Sequence, residues 1–225
     1  MIPENPAPVK IKVLIVDDHP LVRERLAELI NREPDLIVAG EAEDRNDALS
    51  LIGSVEPLLV IVDLSLKTSL GFDLIKDLQA IHPRILILVV SMQDELIYAE
   101  RCLRAGARGY ITKQQASRHV MLAIRKVLSG EIYLSEAVTA QMIGRSMRNA
   151  MPRPGESSIS TLADRELQVF ELIGRGHSTK QIAELLSLDV KTIETYRGRI
   201  KDKLGLKDSS DLLQQAIAWV HQRQG

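Results

Sequence analysis

Between residues 11 and 130 the hydrophobic positions follow two periods in alternation. Short apolar runs rich in β-branched residues, KVLIV (12–16), LIVAGEA (36–42), LLVIV (58–62), RILILVV (84–90) and RGYIT (108–112), predict strands. Between them lie PLVRERLAELINRE (20–33), RNDALSLIGS, GFDLIKDLQAIH, DELIYAERCLRAG and ASRHVMLAIRKVLSG, whose apolar residues recur at helical spacing. In the first of these, Leu21, Val22, Leu26, Leu29 and Ile30 are expected to share a buried face. Five β–α units in succession predict an α/β domain with a doubly wound five-stranded parallel sheet, because each parallel pair needs a right-handed helical crossover. The third and fourth runs are almost wholly apolar, as befits central strands covered on both faces.

After Gly130 the strand pattern stops. EIYLSEAVTAQMIGRSMRNA (131–150) predicts one more helix, and MPRPGESSIS (151–160) brings two prolines, a glycine and three serines, which interrupt helix and strand alike. Residues 161–225 hold only short helical patterns: ADRELQVFELIGRG, TKQIAELLS, VKTIETYRGRIKDKLG and SSDLLQQAIAWVHQ. The expected division is therefore an α/β domain over 11–130, a linker with a helix over 131–157 and a small all-α domain over 158–225.

Composition narrows the class. With 45% hydrophobic and 26% charged residues the chain has the balance of a globular protein, and it contains no apolar run approaching the ~20 residues of a membrane span. MIPENPAPVK lacks the basic-then-apolar order of a secretory signal, so it is expected to be a flexible leader and the protein cytoplasmic, without a membrane partner. The single cysteine, Cys102, cannot form an internal disulfide and is expected to be a small buried side chain. A net charge of −1 hides an asymmetry: between residues 191 and 207, Lys191, Arg197, Arg199, Lys201, Lys203 and Lys207 face only Glu194 and Asp202.

Candidate chemistry sits at strand ends. Asp17 and Asp18 follow the first run and Asp63 follows the third. In open α/β sheets ligands bind outside the carboxyl ends of the strands where strand order reverses. If the first and third strands are neighbours, the three carboxylates converge, and a hard divalent cation with oxygen ligands, most naturally Mg²⁺, answers their repulsion. Ser91 follows the fourth run and Lys113 the fifth, so a hydroxyl and an ammonium are expected to face the same crevice. With Mg²⁺ these groups suit a phosphoryl group on Asp63, which would act as a nucleophile of the aspartyl-phosphate kind.

In the C-terminal part, TKQIAELLSLDVKTIETYRGRIKDKLG predicts a helix, a tight Ser-Leu-Asp turn and a second helix. Ile182, Ala183, Leu185, Leu186, Ile193, Ile200 and Leu204 are expected to pack inward, with Leu188 and Val190 fixing the turn. Lys191, Glu194, Thr195, Arg197, Gly198, Arg199 and Lys201 are expected on the opposite face. A polar, mostly basic outer face fits a DNA major groove, its cations contacting phosphates.

Two stretches carry a family resemblance. VDDHP, IVDLSL, VVSM and GYITK resemble the strand ends of the receiver domain of two-component response regulators, a flavodoxin-like fold. DRE, ELIGRGHSTKQIA, KTIETY and KLGL, within residues 162–213, resemble the LuxR-type helix-turn-helix of NarL/FixJ response regulators. The likeness implies Asp63 as phosphoacceptor, Asp18 as a direct Mg²⁺ ligand assisted by Asp17, and the Ser65 backbone carbonyl as a further ligand. It implies Ser91 and Tyr110 as switch residues, a sensor histidine kinase as donor, and a homodimer on double-stranded DNA. By position Glu194, Thr195 and Gly198 would face bases, and Lys191, Thr192, Arg197, Arg199 and Lys201 phosphates or groove edges. The chain departs from the family at Lys67, where receivers commonly have proline, and at Ile193-Glu194 and Tyr196, where relatives often carry Val-Lys and His. The competing classes are a phospho-switch with a protein- or RNA-binding output and a Mg²⁺-dependent phosphotransfer enzyme. Such enzymes need a second carboxylate two residues beyond the nucleophile, a position held here by Ser65.

Overall fold

The structure, a computed structural model, describes residues 10–66, 71–147, 159 and 161–221. The N-terminal leader, Lys67 and most of the Pro/Ser-rich segment thus lie outside the described residues. The chain divides into two compact units, Met1–Met147 and Arg148–Gly225.

In the first unit strands and helices alternate: β1 (Ile11–Val16), α1 (Pro20–Asn31), β2 (Leu36–Ala42), α2 (Arg45–Val55), β3 (Leu59–Val62), α3 (Gly71–Ile81), β4 (Leu86–Ser91), α4 (Glu95–Ala105), β5 (Gly109–Thr112) and α5 (Lys113–Leu128). The strands form one parallel sheet in the order β2-β1-β3-β4-β5. The doubly wound expectation holds, and strand order reverses between β1 and β3. Because side chains alternate along a strand, Val13, Ile15, Ile61, Leu88, Val90 and Ile111 join Leu26 and Ile30 of α1 and Val120, Ile124 and Val127 of α5 in one core. Their alternating neighbours Leu14, Val60, Val62, Ile87 and Val89 are just as buried, which makes the sheet a covered layer.

Local chemistry sets the helix ends. Asp44 caps α2 by accepting from the N–H groups of Asn46 and Asp47, and Asp94 caps α4 by accepting from Leu96. Gly106 closes α4 at φ +118°, a conformation that L side chains resist. Two sequence expectations are corrected here. Leu21 is 79% exposed rather than part of the buried face of α1, since Leu26 and Ile30 already supply the stripe that meets the sheet. Leu58 is 44% exposed, and the third strand begins one residue later.

The first unit continues past α5. Tyr133 adds a single bridge beyond β5: the Tyr110 N–H donates to the Tyr133 carbonyl and the Tyr133 N–H to the Arg108 carbonyl, both at 3.0 Å. Helix α6 (Glu136–Met147) then packs on α4, where the Ser135 hydroxyl donates to Glu95 at 2.8 Å and the Gln141 amide to the Leu96 carbonyl at 3.0 Å.

The second unit consists, among the described residues, of α7 (Asp164–Gly174), α8 (Thr179–Leu185), α9 (Val190–Leu204) and α10 (Ser209–His221). Leu167, Phe170, Ile173, Ile182, Ile193, Ile200, Leu212 and Ala216 are buried. The Phe170 and Trp219 rings lie 5.6 Å apart and join α7 to α10. Gly174 permits that contact, because a Cβ there would stand 2.4 Å from the Ala216 carbonyl oxygen. Buried Glu166 accepts from the Ala163 N–H and from the Lys203 ammonium at 2.6 Å, tying the start of α7 to the end of α9. Leu185, expected inside, is 58% exposed, whereas Leu186 is buried. The α8–α9 turn runs through Ser187 at φ +52°.

Candidate functional site

The carboxyl ends of β1 and β3 hold the acidic residues where the sequence put them. The ladder runs one residue past each strand. The Asp17 N–H donates to the Ala42 carbonyl at 3.1 Å and the Asp63 N–H to the Val16 carbonyl at 2.8 Å. Both aspartates are therefore clamped by the sheet, each with a residue exposure of 2%, while the Asp18 side chain is 21% exposed. Gly71 seals the loop behind Asp63: a Cβ there would fall 2.1 Å from the Asp63 carbonyl oxygen.

Lys113, the first residue of α5, reaches into the cluster with Nζ 2.8 Å from Asp17 Oδ2 and 2.7 Å from Asp63 Oδ2. One ammonium thus serves two buried carboxylates, and Asp18 adds a third acidic group beside them. Asp63 Oδ1 is buried with no hydrogen-bond partner among the described residues. Burial raises the Asp63 pKa, against the pull of Lys113 and with a further push from Asp17. For Lys113 burial acts to lower the pKa, yet Asp63 and Asp17 outweigh it and the ammonium is held more tightly than usual.

Oxygen atoms of Asp17, Asp18 and Asp63 and a ring nitrogen of His19 all lie within 4.8 Å of one another. This donor set, with a buried carboxylate oxygen left unsatisfied, fits a hard divalent cation. His19 was not anticipated from the sequence. Its Nδ1 lies 3.2 Å from Asp17 Oδ1, and 2.6 Å from Asp18 Oδ1 outside hydrogen-bonding geometry. Arg23, also unanticipated, donates to the Asp17 carbonyl at 2.6 Å and pairs with Glu41 and Glu43, so α1 holds the β1 end in place.

Ser91 closes β4 and is fully buried, and Tyr110 on β5 is 1% exposed. Burial pushes the Tyr110 hydroxyl pKa well up, with neighbouring Cys102 and Asp63 adding to it. The residue joining these positions is Gln93. Its carbonyl accepts from the Tyr110 hydroxyl at 2.9 Å, its N–H donates to Ser91 Oγ at 3.4 Å, and its side-chain amide donates to Ser65 Oγ at 3.3 Å. Nothing in the local pattern SMQDE marks Gln93, because two of its three partners, Ser65 and Tyr110, lie on other segments.

In the second unit α9 carries the residues predicted to meet DNA. Asp189 caps it by accepting from the Thr192 N–H at 2.7 Å and the Thr192 hydroxyl at 2.8 Å, so that hydroxyl belongs to the cap. Lys191, Glu194, Thr195 and Arg199 are exposed, and Thr192, Gly198 and Lys201 are partly so. Arg197 is the exception to the predicted outer face. Its side chain is 17% exposed, because it stands four residues after Ile193 and three before Ile200, on the stripe that packs inward. The spacing alone contained that signal.

Residues 13–125 match the family described as "Response regulator receiver domain", and residues 160–216 match "Bacterial regulatory proteins, luxR family". "Response regulator GacA" of Pseudomonas aeruginosa is 32% identical over 207 residues, 92% of this chain and 95% of that protein. "Oxygen regulatory protein NreC" of Staphylococcus aureus is 32% identical over 210 residues, 92% of this chain and 97% of that protein. Among solved structures, a LuxR-family two-component response regulator from Aurantimonas sp. SI85-9A1 aligns at TM-score 0.57 and 29% identity, covering 61% of this chain and 99% of its own. RcsB of Salmonella enterica serovar Typhimurium, bound to promoter rprA with the phosphomimetic BeF3⁻, aligns at TM-score 0.62 over 92% of this chain and 98% of its own; at 24% identity this likeness shows the fold. Among the described residues no helix is long and apolar enough to cross a membrane.

Proposed function

The chain belongs to the response regulators that join a receiver domain to a LuxR-type helix-turn-helix, and from that premise we propose that Asp63 is its phosphoacceptor. It is a DNA-binding transcription regulator of a two-component system, and its phosphoryl donor is a sensor histidine kinase. The observation carrying this reading is the state of Asp63. The carboxylate is almost fully buried where strand order reverses, with one oxygen on Lys113 and the other without a hydrogen-bond partner among the described residues.

In the proposed reaction a carboxylate oxygen of Asp63 attacks the phosphorus of the kinase phosphohistidine. The P–O bond forms as the P–N bond breaks, and the imidazole leaves neutral after taking up a proton. Asp17, Asp18, Asp63 and the Ser65 carbonyl would hold Mg²⁺, which when bound offsets the negative charge gathered in the crevice. The Lys113 ammonium and the Ser91 hydroxyl face the phosphoryl oxygens. Attack by water later returns Asp63 and free phosphate, and the protein performs no other chemistry. The Ser91 hydroxyl follows the phosphoryl group, Tyr110 repacks around it, and the active population forms a homodimer that binds two half-sites in promoter DNA. Lys191, Arg199 and Lys201 supply phosphate contacts, Glu194, Thr195 and Gly198 face the bases, and Thr192 and Arg197 support the helix at the groove edge. All of this takes place in the cytoplasm, with no membrane involved.

The test is incubation of the full chain with Mg²⁺ and acetyl phosphate, followed by intact-mass measurement and promoter binding. The wild-type chain gains one phosphoryl group and binds promoter DNA more tightly. Asp63→Asn gains none. Equal labelling of both proteins sinks the assignment of Asp63.

A further inference from the structure

Glu194 sits on the exposed side of α9 with its side chain 57% exposed, yet one carboxylate oxygen is hydrogen-bonded and the other has a guanidinium neighbour. The Thr179 hydroxyl, at the first position of α8, donates to Oε1 at 3.0 Å. Arg197, one turn along the same helix, places Nε 3.6 Å from Oε2. An exposed glutamate on a helix otherwise samples several rotamers, and ordering so flexible a chain opposes binding. Here that ordering is already present. The contact also spans the two helices of the helix-turn-helix, so the carboxylate is oriented by the supersecondary unit as a whole.

We propose that Thr179, Glu194 and Arg197 form one base-reading element that selects cytosine in each half-site. This deepens the DNA-binding reading and rests on it. A carboxylate only accepts hydrogen bonds, so in the major groove it needs an amino group. Cytosine offers N4–H₂ as its hydrogen-bonding group there. Adenine sets its N6–H₂ beside the N7 acceptor, whose lone pair repels an anion, while guanine and thymine present acceptors opposite a protein side chain. Each carboxylate oxygen has two lone-pair directions, so Oε1 can keep Thr179 and still accept from a base. The half-buried Arg197 guanidinium offsets the negative charge that Glu194 brings close to the DNA backbone. Arg197 therefore acts through Glu194, and Thr179 is a positioning residue that touches no base.

The full-length protein, treated with Mg²⁺ and beryllofluoride, is subjected to selection from randomised duplexes. It is then titrated against four duplexes that differ only at the position showing the strongest cytosine preference. The wild-type chain is expected to favour cytosine there by about ten-fold, the usual scale of one good side-chain–base pairing. Glu194→Gln moves the preference at that position toward adenine, since a carboxamide pairs with N6 and N7, and leaves other positions alone. Thr179→Val removes the hydroxyl at nearly constant shape and flattens the cytosine preference several-fold, whereas Thr179→Ser restores it. A merely structural role for Thr179 would instead lower affinity for all four duplexes equally, and that result overturns the proposal. An unchanged preference in Glu194→Gln overturns it as well, with DNA binding itself left standing. Failure of the wild-type protein to bind any duplex at low salt overturns both readings.

Discussion

Lys113 meets two buried carboxylates with one charge, and its removal leaves both uncompensated. Breaking one partner out of a buried ion pair typically costs about 3–5 kcal/mol. Lys113→Met is therefore expected to lower the unfolding free energy by that order, with a matching fall in the urea midpoint, and added Mg²⁺ to recover part of the loss by supplying another cation. Unfolding curves with and without Mg²⁺ check both statements. Gly71→Ala should disturb the same site from behind, since its methyl group would collide with the Asp63 carbonyl. Overpacking of this kind costs roughly 1–3 kcal/mol, and phosphorylation from acetyl phosphate should slow along with the loss of stability. At the start of α9 the direction with pH follows from one group. The Thr192 hydroxyl, followed by the Thr192 N–H, holds the Asp189 carboxyl below its ordinary value of 3.8. A lowered folded-state pKa means that the cap stabilises above the unfolded value and is lost as pH falls through the folded one. Helix content of the wild-type chain should thus drop more steeply below pH 3.8 than that of Asp189→Ala, as circular dichroism would record.

At the scale of elements, strands β1 and β3 and the stripe of α9 were legible because their signals are local. A short run of β-branched and other apolar residues between turn signals favours a buried strand by its own composition, and Ile193 and Ile200 share a helical face by spacing alone. Segment 131–147 was harder to read. EIYLSEAV announces a helix, but the bridge of Tyr133 to β5 and the seating of α6 on α4 depend on groups far apart in sequence. The second carboxylate oxygen of Glu95 is buried there without a partner among the described residues, so Ser135 is its main satisfaction. Ser135→Ala should cost ~1–3 kcal/mol through that stranded carboxylate. Amide exchange within Glu136–Met147 is expected to accelerate while exchange in β1 and β3 stays unchanged. Because Tyr133 pairs with the backbone of Tyr110, phosphorylation of Asp63 should alter exchange in the same segment.

For the whole molecule, charge is concentrated where it is useful. A chain of net charge −1 carries its basic excess on and beside one helix, so DNA affinity should fall steeply as salt rises. Removing the exposed cations Lys191 and Arg199 together should reduce the slope of log affinity against log salt by about 2, with little effect on base preference. Titration at several salt concentrations measures this. By itself the sequence determined the succession of β–α units, the helical tail, and the acidic, hydroxyl and ammonium groups at the ends of successive strands. Each of those follows from periodicity within a dozen residues and from the chemistry of the residue that ends a run. Only the tertiary structure decided that Gln93 gathers Ser65, Ser91 and Tyr110, that Arg23 and His19 flank the aspartates, and that Thr179 holds Glu194. Most of these contacts join residues from different elements, and a side chain's partner across a fold is set by packing that no local pattern contains.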